Sequence, residues 1–152
     1  MTLSPGDYRP SPSDRVSDQV RLYEATDGSQ GGTLEDRPVV ILTHLGARTG
    51  AVRKTPIMRI PDGDGYLAVA SAAGALRHPA WYFNLVAHPA VHVQDRKTHR
   101  ELTARELRGA EKQNAWRIAE TFWPHFPEYR DSAGGREIPI LRLEPDAPRN
   151  GN

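Results

Sequence analysis

Apolar and polar positions along this chain follow two periods, one helical and one of strand type. Val16, Val20 and Tyr23 recur at helical spacing with Leu22 beside them, which predicts a short helix from Asp14 that ends at "DGSQGG". "RPVVILTHL" is a β-branched run of strand length, too uniformly apolar for an exposed sheet edge. "GARTG" turns the chain and "VRKTPIMRI" reads as the returning strand. Pro56 within it has no N–H, so it belongs at an edge or an irregularity. "PDGDG" is a strong turn signal and "YLAVAS" a third strand, so the three predict an antiparallel meander.

Beyond this, "AAGALRH" reads as a glycine-containing loop, and "PAWYFNLVAHP" as a short helix begun near Pro79 and stopped by Pro89. "AVHVQD" and "RELTARELR" are two further strands joined by the basic turn "RKTH". In "GAEKQNAWRIAETFWPHF", Ala115, Ile118, Ala119 and Phe122 form one face of an amphipathic helix. "PEYRDSAGGRE" reads as loop and "IPILRLEP" as a closing strand. Six or so strands with two inserted helices predict an α+β chain, mainly β: a small, partly closed barrel of antiparallel strands. The expected divisions are a flexible arm over 1–13, one domain over 14–146 and a flexible tail over 147–152.

Composition narrows the function classes. A length of 152 residues fits one domain with a single core. Lys and Arg number 20 against 19 Asp and Glu, a balance that argues against a dedicated nucleic-acid binder. The chain has no cysteine, which removes disulfides, thiolate metal sites and thiol nucleophiles. It holds no run of about eighteen apolar residues that would cross a membrane. Its N-terminus lacks the apolar core of a signal peptide, so a soluble, cytoplasmic protein is expected.

The charge pattern is local. "GARTGAVRKTP" gathers Arg48, Arg53 and Lys54 around two glycines, and two readings stay open: a hairpin with solvated charges, or a cradle for an anionic group. Glycine backbone can approach a ligand closely, turn N–H groups can form an anion nest, and a guanidinium makes bidentate contacts to phosphate or carboxylate. On a strand from Val52, Arg53 and Thr55 point one way while Lys54 and Pro56 point the other, so the turn must supply Arg48. The P-loop and Rossmann glycine patterns are both missing. The histidines at 44, 78, 88, 92, 99 and 125 are scattered. His88 and His92 are split by the helix-stopping Pro89, and no metal site is expected. Ser71, in "VASAAG", has no nucleophile elbow, and its residues alone favour a strand-end serine bonded to its own loop. Trp123, Phe126 and Tyr129 recur in proline-interrupted chain, a pattern that serves either a core or the mouth of an apolar pocket.

Taken in order, "VVILTHLGARTGAVRKTPIMRI", "GYLAVASAAGALRHPAWYFNLVAHPAVHVQ", "ELTARE" and "EIPILRLEP" resemble the deazaflavin-dependent nitroreductase family, actinobacterial proteins that use coenzyme F420. The resemblance spans about residues 19–145 and implies a split β-barrel, in agreement with the meander. It implies that Arg48, Arg53 and Lys54 contact the cofactor's phosphate and polyglutamate tail, with hydroxyls from Thr49 and Thr55 and with Pro56 and Met58 beyond them. Val69, Ala70, Ser71 and Ala72 would line the deazaflavin ring, and Ala80, Trp81, Tyr82 and Asn84 of the short helix would close on it. Met58, Trp123, Phe126 and Tyr129 would form the substrate pocket, with Ser71 and Tyr129 as the catalytic candidates. The chain departs from the family where Ala72 replaces a lysine of some members, with Arg77 or His78 nearest in sequence to compensate. Met58, Trp123 and Phe126 stand in place of tyrosines, and a pocket with fewer hydroxyls orients polar acceptors differently.

The implied activity is hydride transfer from reduced deazaflavin to a flat, electron-poor small molecule: a quinone, a nitroaromatic or an activated enone. No metal and no nucleic acid enter this reading. The protein would be a monomer or homodimer, with an arm that stays free or touches a membrane surface where lipid quinones reside. Two alternatives stay open. One is an FMN-dependent split-barrel enzyme, whose shorter phosphate would leave part of the basic hairpin idle. The other is a non-catalytic F420 carrier.

Overall fold

The computed structural model describes residues 7–146. Its strands are β1 (Thr33–Leu34), β2 (Arg37–Leu45), β3 (Val52–Met58), β4 (Pro61–Asp62), β5 (Gly65–Val69), β6 (Ala90–Asp95), β7 (Thr98–Glu106) and β8 (Ile140–Glu144). The helices are α1 (Asp14–Thr26), α2 (Ala80–Ala87), α3 (Gly109–Phe122) and α4 (Phe126–Ser132). All pairings between strands are antiparallel, in the order β1-β2-β6-β7-β8-β5-β4, with β3 on the other flank of β2. The sheet curls into the expected half-barrel.

The uniformly apolar β2 lies between β3 and β6, which accounts for its composition. Pro56 sits on β3, which has β2 as its one sheet neighbour, so its missing N–H costs no ladder bond. The three-strand meander is corrected. β3 pairs with β2 along its length, and after Arg59 and Ile60 the chain meets β5 through the two-residue β4 alone. β5 takes β8 as its long partner instead, and all five of its residues are buried. A strand covered on both faces reads as a continuous apolar run and carries no sign of which neighbour it will choose.

A second correction concerns residues 127–132, expected as loop and observed within α4. Pro127 falls in its first turn, where a missing N–H is tolerated, so the proline punctuates the chain without preventing a helix. α4 is thus a fourth α-helix among the described residues, beside the three that the sequence predicts. At α1, the Ser13 hydroxyl accepts from the Val16 N–H, and Asp27 ends the helix in the left-handed region at φ 49°.

Three apolar clusters result. Inside the curl, Val40, Leu42, Ile57, Ala68, Leu141 and Leu143 pack under Trp81 and Leu85 of α2. On the opposite face of β5 and β8, Leu67, Val69 and Ile140 pack with Ala115 and Ala119 of α3, Trp123 and Phe126. Val20 and Tyr23 of α1 cover Val39 and Ile41. Residues 7–13 run beside β3, where the Arg9 N–H donates to Val52 O at 2.9 Å and Tyr8 bridges Val52. Residues 1–6 and the tail 147–152 lie outside the described residues.

Candidate active site

A cavity of about 260 Å³ opens where the end of β3, the end of β5, the 72–74 turn, α2 and α4 converge. Pro56, Met58, Val69, Ser71, Ala72, Trp81, Trp123 and Tyr129, all expected site residues, line it. Arg15 of α1, with Leu34 and Glu35 of the β1–β2 turn, completes the rim. The wall is thus mostly apolar and aromatic with a few polar groups, the usual make-up of a small-molecule site.

Ser71 is 1% exposed and does not cap the turn that follows it. Among the described residues no sealed side-chain polar atom lacks a partner, so the Ser71 hydroxyl, which bonds to none of them, keeps its opening onto the cavity. The backbone here is strained. Ala72 and Ala73 adopt φ 48° and 52°, and left-handed alanines cost roughly 1–2 kcal/mol each. Gly74 follows at φ 81°, and a Cβ on it would stand 1.9 Å from Ser132 Oγ. Strain concentrated in a cavity wall is a marker of a functional segment.

At the rim, the Tyr129 hydroxyl donates to Glu35 Oε2 at 3.3 Å. Burial, with the Glu35 carboxylate beside it, raises the Tyr129 phenol above its ordinary value, so the proton stays on oxygen at neutral pH. Glu35 and Asp36 form the two-residue turn between β1 and β2 with φ 49° and 62°. Sequence reasoning missed Glu35, because such turns are signalled by glycine and asparagine and "ED" carries neither.

The basic hairpin divides as the strand alternation requires. Arg53 and Thr55 lie on the face of the β2–β3 pair that carries His44 of β2 and Ile57 of β3, whereas Lys54 turns toward α1. There its ammonium meets Glu24 at 2.6 Å and lies 4.8 Å from the centroid of the Tyr8 ring. Arg48 stands at the exposed tip, where Thr49 Oγ1 accepts from the Ala51 N–H at 3.1 Å. Among the described residues no carboxylate pairs with Arg48 or Arg53, in contrast to Arg59, Arg105 and Arg142.

Behind the hairpin lies a network that the sequence did not suggest. His44 is 2% exposed, its Nδ1 lies 3.1 Å from Asn84 Nδ2 and its Nε2 lies 3.1 Å from Thr55 Oγ1. Asn84 Oδ1 accepts from the Ala47 N–H at 2.8 Å, which turns the Asn84 NH₂ toward His44. Nδ1 is therefore the acceptor, and Nε2–H donates to Thr55. Burial, with Arg53 adding repulsion, pushes the His44 pKa down to about 4, so the ring is neutral.

Ten expected site residues do not line the cavity: Arg48, Thr49, Arg53, Lys54 and Thr55 of the hairpin and Asn84 behind it, placed as above, and Phe126, Tyr82, Ala70 and Ala80. Phe126 is fully buried, packed edge-on against Trp116 and Tyr129 in the α3–α4 core. Tyr82 faces the other side of α2, where its hydroxyl donates to Glu106 at 2.6 Å. Ala70 is buried in the core within the curl. Ala80 is exposed at the start of α2. Among the described residues no cluster of three or more His, Cys, Asp or Glu is placed to hold a metal ion.

Residues 15–145 match the F420H(2)-dependent quinone reductase family. The chain is similar to an F420H(2)-dependent quinone reductase of Mycobacterium tuberculosis (strain ATCC 25618 / H37Rv), with 33% identity over 126 residues that cover 80% of this chain and 84% of the relative. A solved F420-H2 dependent reductase (FDR-A) is 40% identical, with a TM-score of 0.66 over 74% of this chain and 98% of that one. A solved chain described as a domain-swapped dimer is 38% identical, with a TM-score of 0.68 over 88% of this chain and all of that one (100%).

Proposed function

The chain belongs to the F420H(2)-dependent quinone reductase family, and on that premise we propose that the cavity beside Ser71 is where a hydride passes from reduced F420 to a flat, electron-poor acceptor, with quinones foremost. The observation that carries this reading is the pairing of an apolar cavity holding one unpartnered hydroxyl with two unpaired guanidiniums, Arg48 and Arg53, on the neighbouring hairpin. The residues fit the cofactor, since its tail is anionic and its ring flat and largely apolar. When bound, F420 supplies a hydride, because its ring has carbon where a flavin has N5.

The chain's own groups then divide the work. Arg48 and Arg53 hold the anionic tail by charge-assisted bonds, while Thr55, braced by His44, offers its hydroxyl proton on the same strand face. Pro56, Met58, Val69 and Trp81 flank the ring and keep water from it. Trp123 and Tyr129 bound the acceptor, and the Ser71 hydroxyl donates to the acceptor oxygen as negative charge develops there. Tyr129 and Glu35 form the proton route at the rim: Tyr129 turns its O–H from Glu35 to the reduced acceptor, and Glu35 exchanges protons with solvent.

The unpaired arginines favour F420 over FMN, whose shorter phosphate leaves part of the hairpin unused, and the opening at Ser71 favours an enzyme over a carrier. We infer that contact with a membrane-borne quinone would be peripheral, because among the described residues no helix is long and apolar enough to cross a membrane. Homodimer formation is a reading of the same rank, checked by size-exclusion chromatography. The deciding experiment is titration of the purified protein with oxidised F420 by fluorescence quenching, FMN in parallel, followed by oxidation of reduced F420 with menadione. F420 binding without FMN binding, and turnover that Ser71→Ala lowers far more than cofactor affinity, is the expected result. Binding of FMN alone, or F420 binding with no turnover on any acceptor, overturns the reading.

A further inference from the structure

Arg136 follows the paired glycines 134 and 135 beyond α4, and none of the roles above uses it. Its guanidinium donates to three carbonyls: Nε to Ala75 O at 3.0 Å, Nη1 to Ala70 O at 3.0 Å and Nη2 to Ser71 O at 2.7 Å. Nη1 also lies 2.7 Å from His78 Nδ1, which must present a lone pair. His78 is held below its ordinary value by burial and by Arg136, consistent with a neutral acceptor. Arg59 and Arg142 answer to carboxylates, but Arg136 is compensated only by backbone and imidazole.

The three carbonyls bracket the strained turn. Ser71 is right-handed at φ −75° and ψ −32°, Ala72 and Ala73 are left-handed, and Ser132 Oγ secures the far end by donating to Gly74 O at 3.1 Å. The chain has no cis peptide among the described residues, and across a trans peptide the N–H points opposite to the C=O. With the Ala70 and Ser71 carbonyls turned onto Arg136, the N–H groups of Ser71 and Ala72 point away from it. Both residues line the cavity, and Arg136 lines a different one. Among the described residues neither N–H has an acceptor.

We propose that Arg136 is a positioning residue of the hydride-transfer site, which holds the left-handed turn so that the Ser71 hydroxyl and the Ser71 and Ala72 N–H groups face an oxygen that gains negative charge in the cavity. The inference rests on the functional reading above. A hydride carries an electron pair to the acceptor, and negative charge settles on its carbonyl oxygen, which these donors meet; the cofactor ring loses electron density in the same step. A desolvated cation bonded to the far end of both peptides polarises them in the sense that strengthens those donors. Because the groups are aligned before reaction, they assist charge that develops in the transition state rather than charge already present.

The test uses the full chain as Arg136→Met and Arg136→Lys. Thermal melting, F420 affinity, kcat and KM for menadione, and the absorption maximum of bound oxidised F420 are each compared with the unaltered protein. The expected result for Arg136→Met is a fall in kcat of about a hundredfold with F420 affinity within about threefold. Millimolar guanidinium restores part of that kcat and leaves the unaltered protein unaffected. An unshifted absorption maximum with raised menadione KM assigns the donors to the acceptor and supports the proposal; a shifted one assigns them to a cofactor oxygen, which loses electron density on hydride transfer, and overturns it. A folded Arg136→Met with kcat unchanged overturns it. So does joint loss of kcat, affinity and melting temperature without guanidinium rescue, which marks a structural staple only. Should Arg136→Met not fold, Arg136→Lys decides, since a point charge cannot span three carbonyls: lowered kcat at intact affinity supports positioning, and unaltered kcat refutes it. If the unaltered protein itself fails to oxidise reduced F420, the functional reading falls, and this inference with it.

Discussion

His44 ties stability to pH in a way that can be worked out from its surroundings. In the unfolded chain its imidazole titrates near 6.5, while in the folded protein burial, and secondarily Arg53, pushes the value down to about 4. Between those values the unfolded state binds a proton that the folded state refuses, so stability is fully present above pH 6.5 and falls as pH drops toward 4. At 1.36 kcal/mol per unit, a gap from 6.5 to about 4 amounts to about 3 kcal/mol. That is a large fraction of the stability of an ordinary domain. The perturbation is His44→Gln, which keeps an acceptor and a donor in the strand and cannot titrate. Urea unfolding of both chains across about pH 7.5 to pH 4.5 isolates the effect. His78 and His92, also held low by burial, are common to both proteins and cancel. The unaltered chain should lose about 2.5 kcal/mol more than the variant over that interval, the remainder following below pH 4.5. Equal slopes for the two chains, or an NMR titration that puts His44 near 6.5 in the folded state, would refute the argument.

Other substitutions separate roles that the geometry distinguishes. Gly74→Ala drives a Cβ into Ser132 Oγ and to 3.0 Å from Tyr129 Cα at a positive φ, so a destabilisation of about 2–4 kcal/mol should appear in urea unfolding, with α4 displaced. Ala73→Gly relieves a left-handed alanine at an exposed position, and after the entropy of the more flexible unfolded chain is deducted it should stabilise by up to about 1 kcal/mol, seen as a raised Tm. Arg53→Met should weaken F420 binding by the loss of a charge-assisted contact, about 1.5–3 kcal/mol, whereas Lys54→Met, which removes a partner of Glu24, should not; equal effects in fluorescence titrations would contradict the assigned faces. Phe126→Ala should cost about 3–5 kcal/mol in stability as a core truncation; loss of acceptor binding at unchanged stability would place Phe126 in the pocket instead.

Most of the fold was legible because periodicity reports burial, and burial is what the strands and long helices share. β2 and α1 fall where their patterns put them, and α3 differs only at its end, with Phe122 as its last residue. What stayed hidden was short or decided by tertiary context. β1 and β4 span two residues each and have no period, and α4 was concealed between prolines and glycines that mark turns more often than helix ends. The pairing of β5 with β8 closes the curl across a long stretch of sequence, and no local signal encodes it. Of the candidate site, the residues on one strand or turn were named together as candidates, from Arg48 to Met58 and from Val69 to Ala72. Glu35, His44 and Arg136 were not. Each acts through a partner remote in sequence: Glu35 through Tyr129, His44 through Asn84, Arg136 through Ala70 and Ser71.

The tip of the basic hairpin carries two glycines, a composition that ordinarily leaves a loop free to sample many conformations. Here Gly46 N–H is bonded to Ala51 O, Gly50 N–H to Gly46 O, and Ala47 N–H to the side chain of Asn84 on α2. The entropy of ordering that tip is therefore surrendered during folding and not at the moment of association. A ligand arriving at Arg48 meets a preorganised surface, so a greater part of its contact energy is expressed as affinity. The same tether joins the tip to the helix that carries Trp81, which makes the proposed tail end and ring end of the site one mechanical unit. A truncated ligand that lacks its anionic tail would thus find the ring end already shaped, and the difference between its affinity and that of the whole ligand would measure the contacts of the tail themselves.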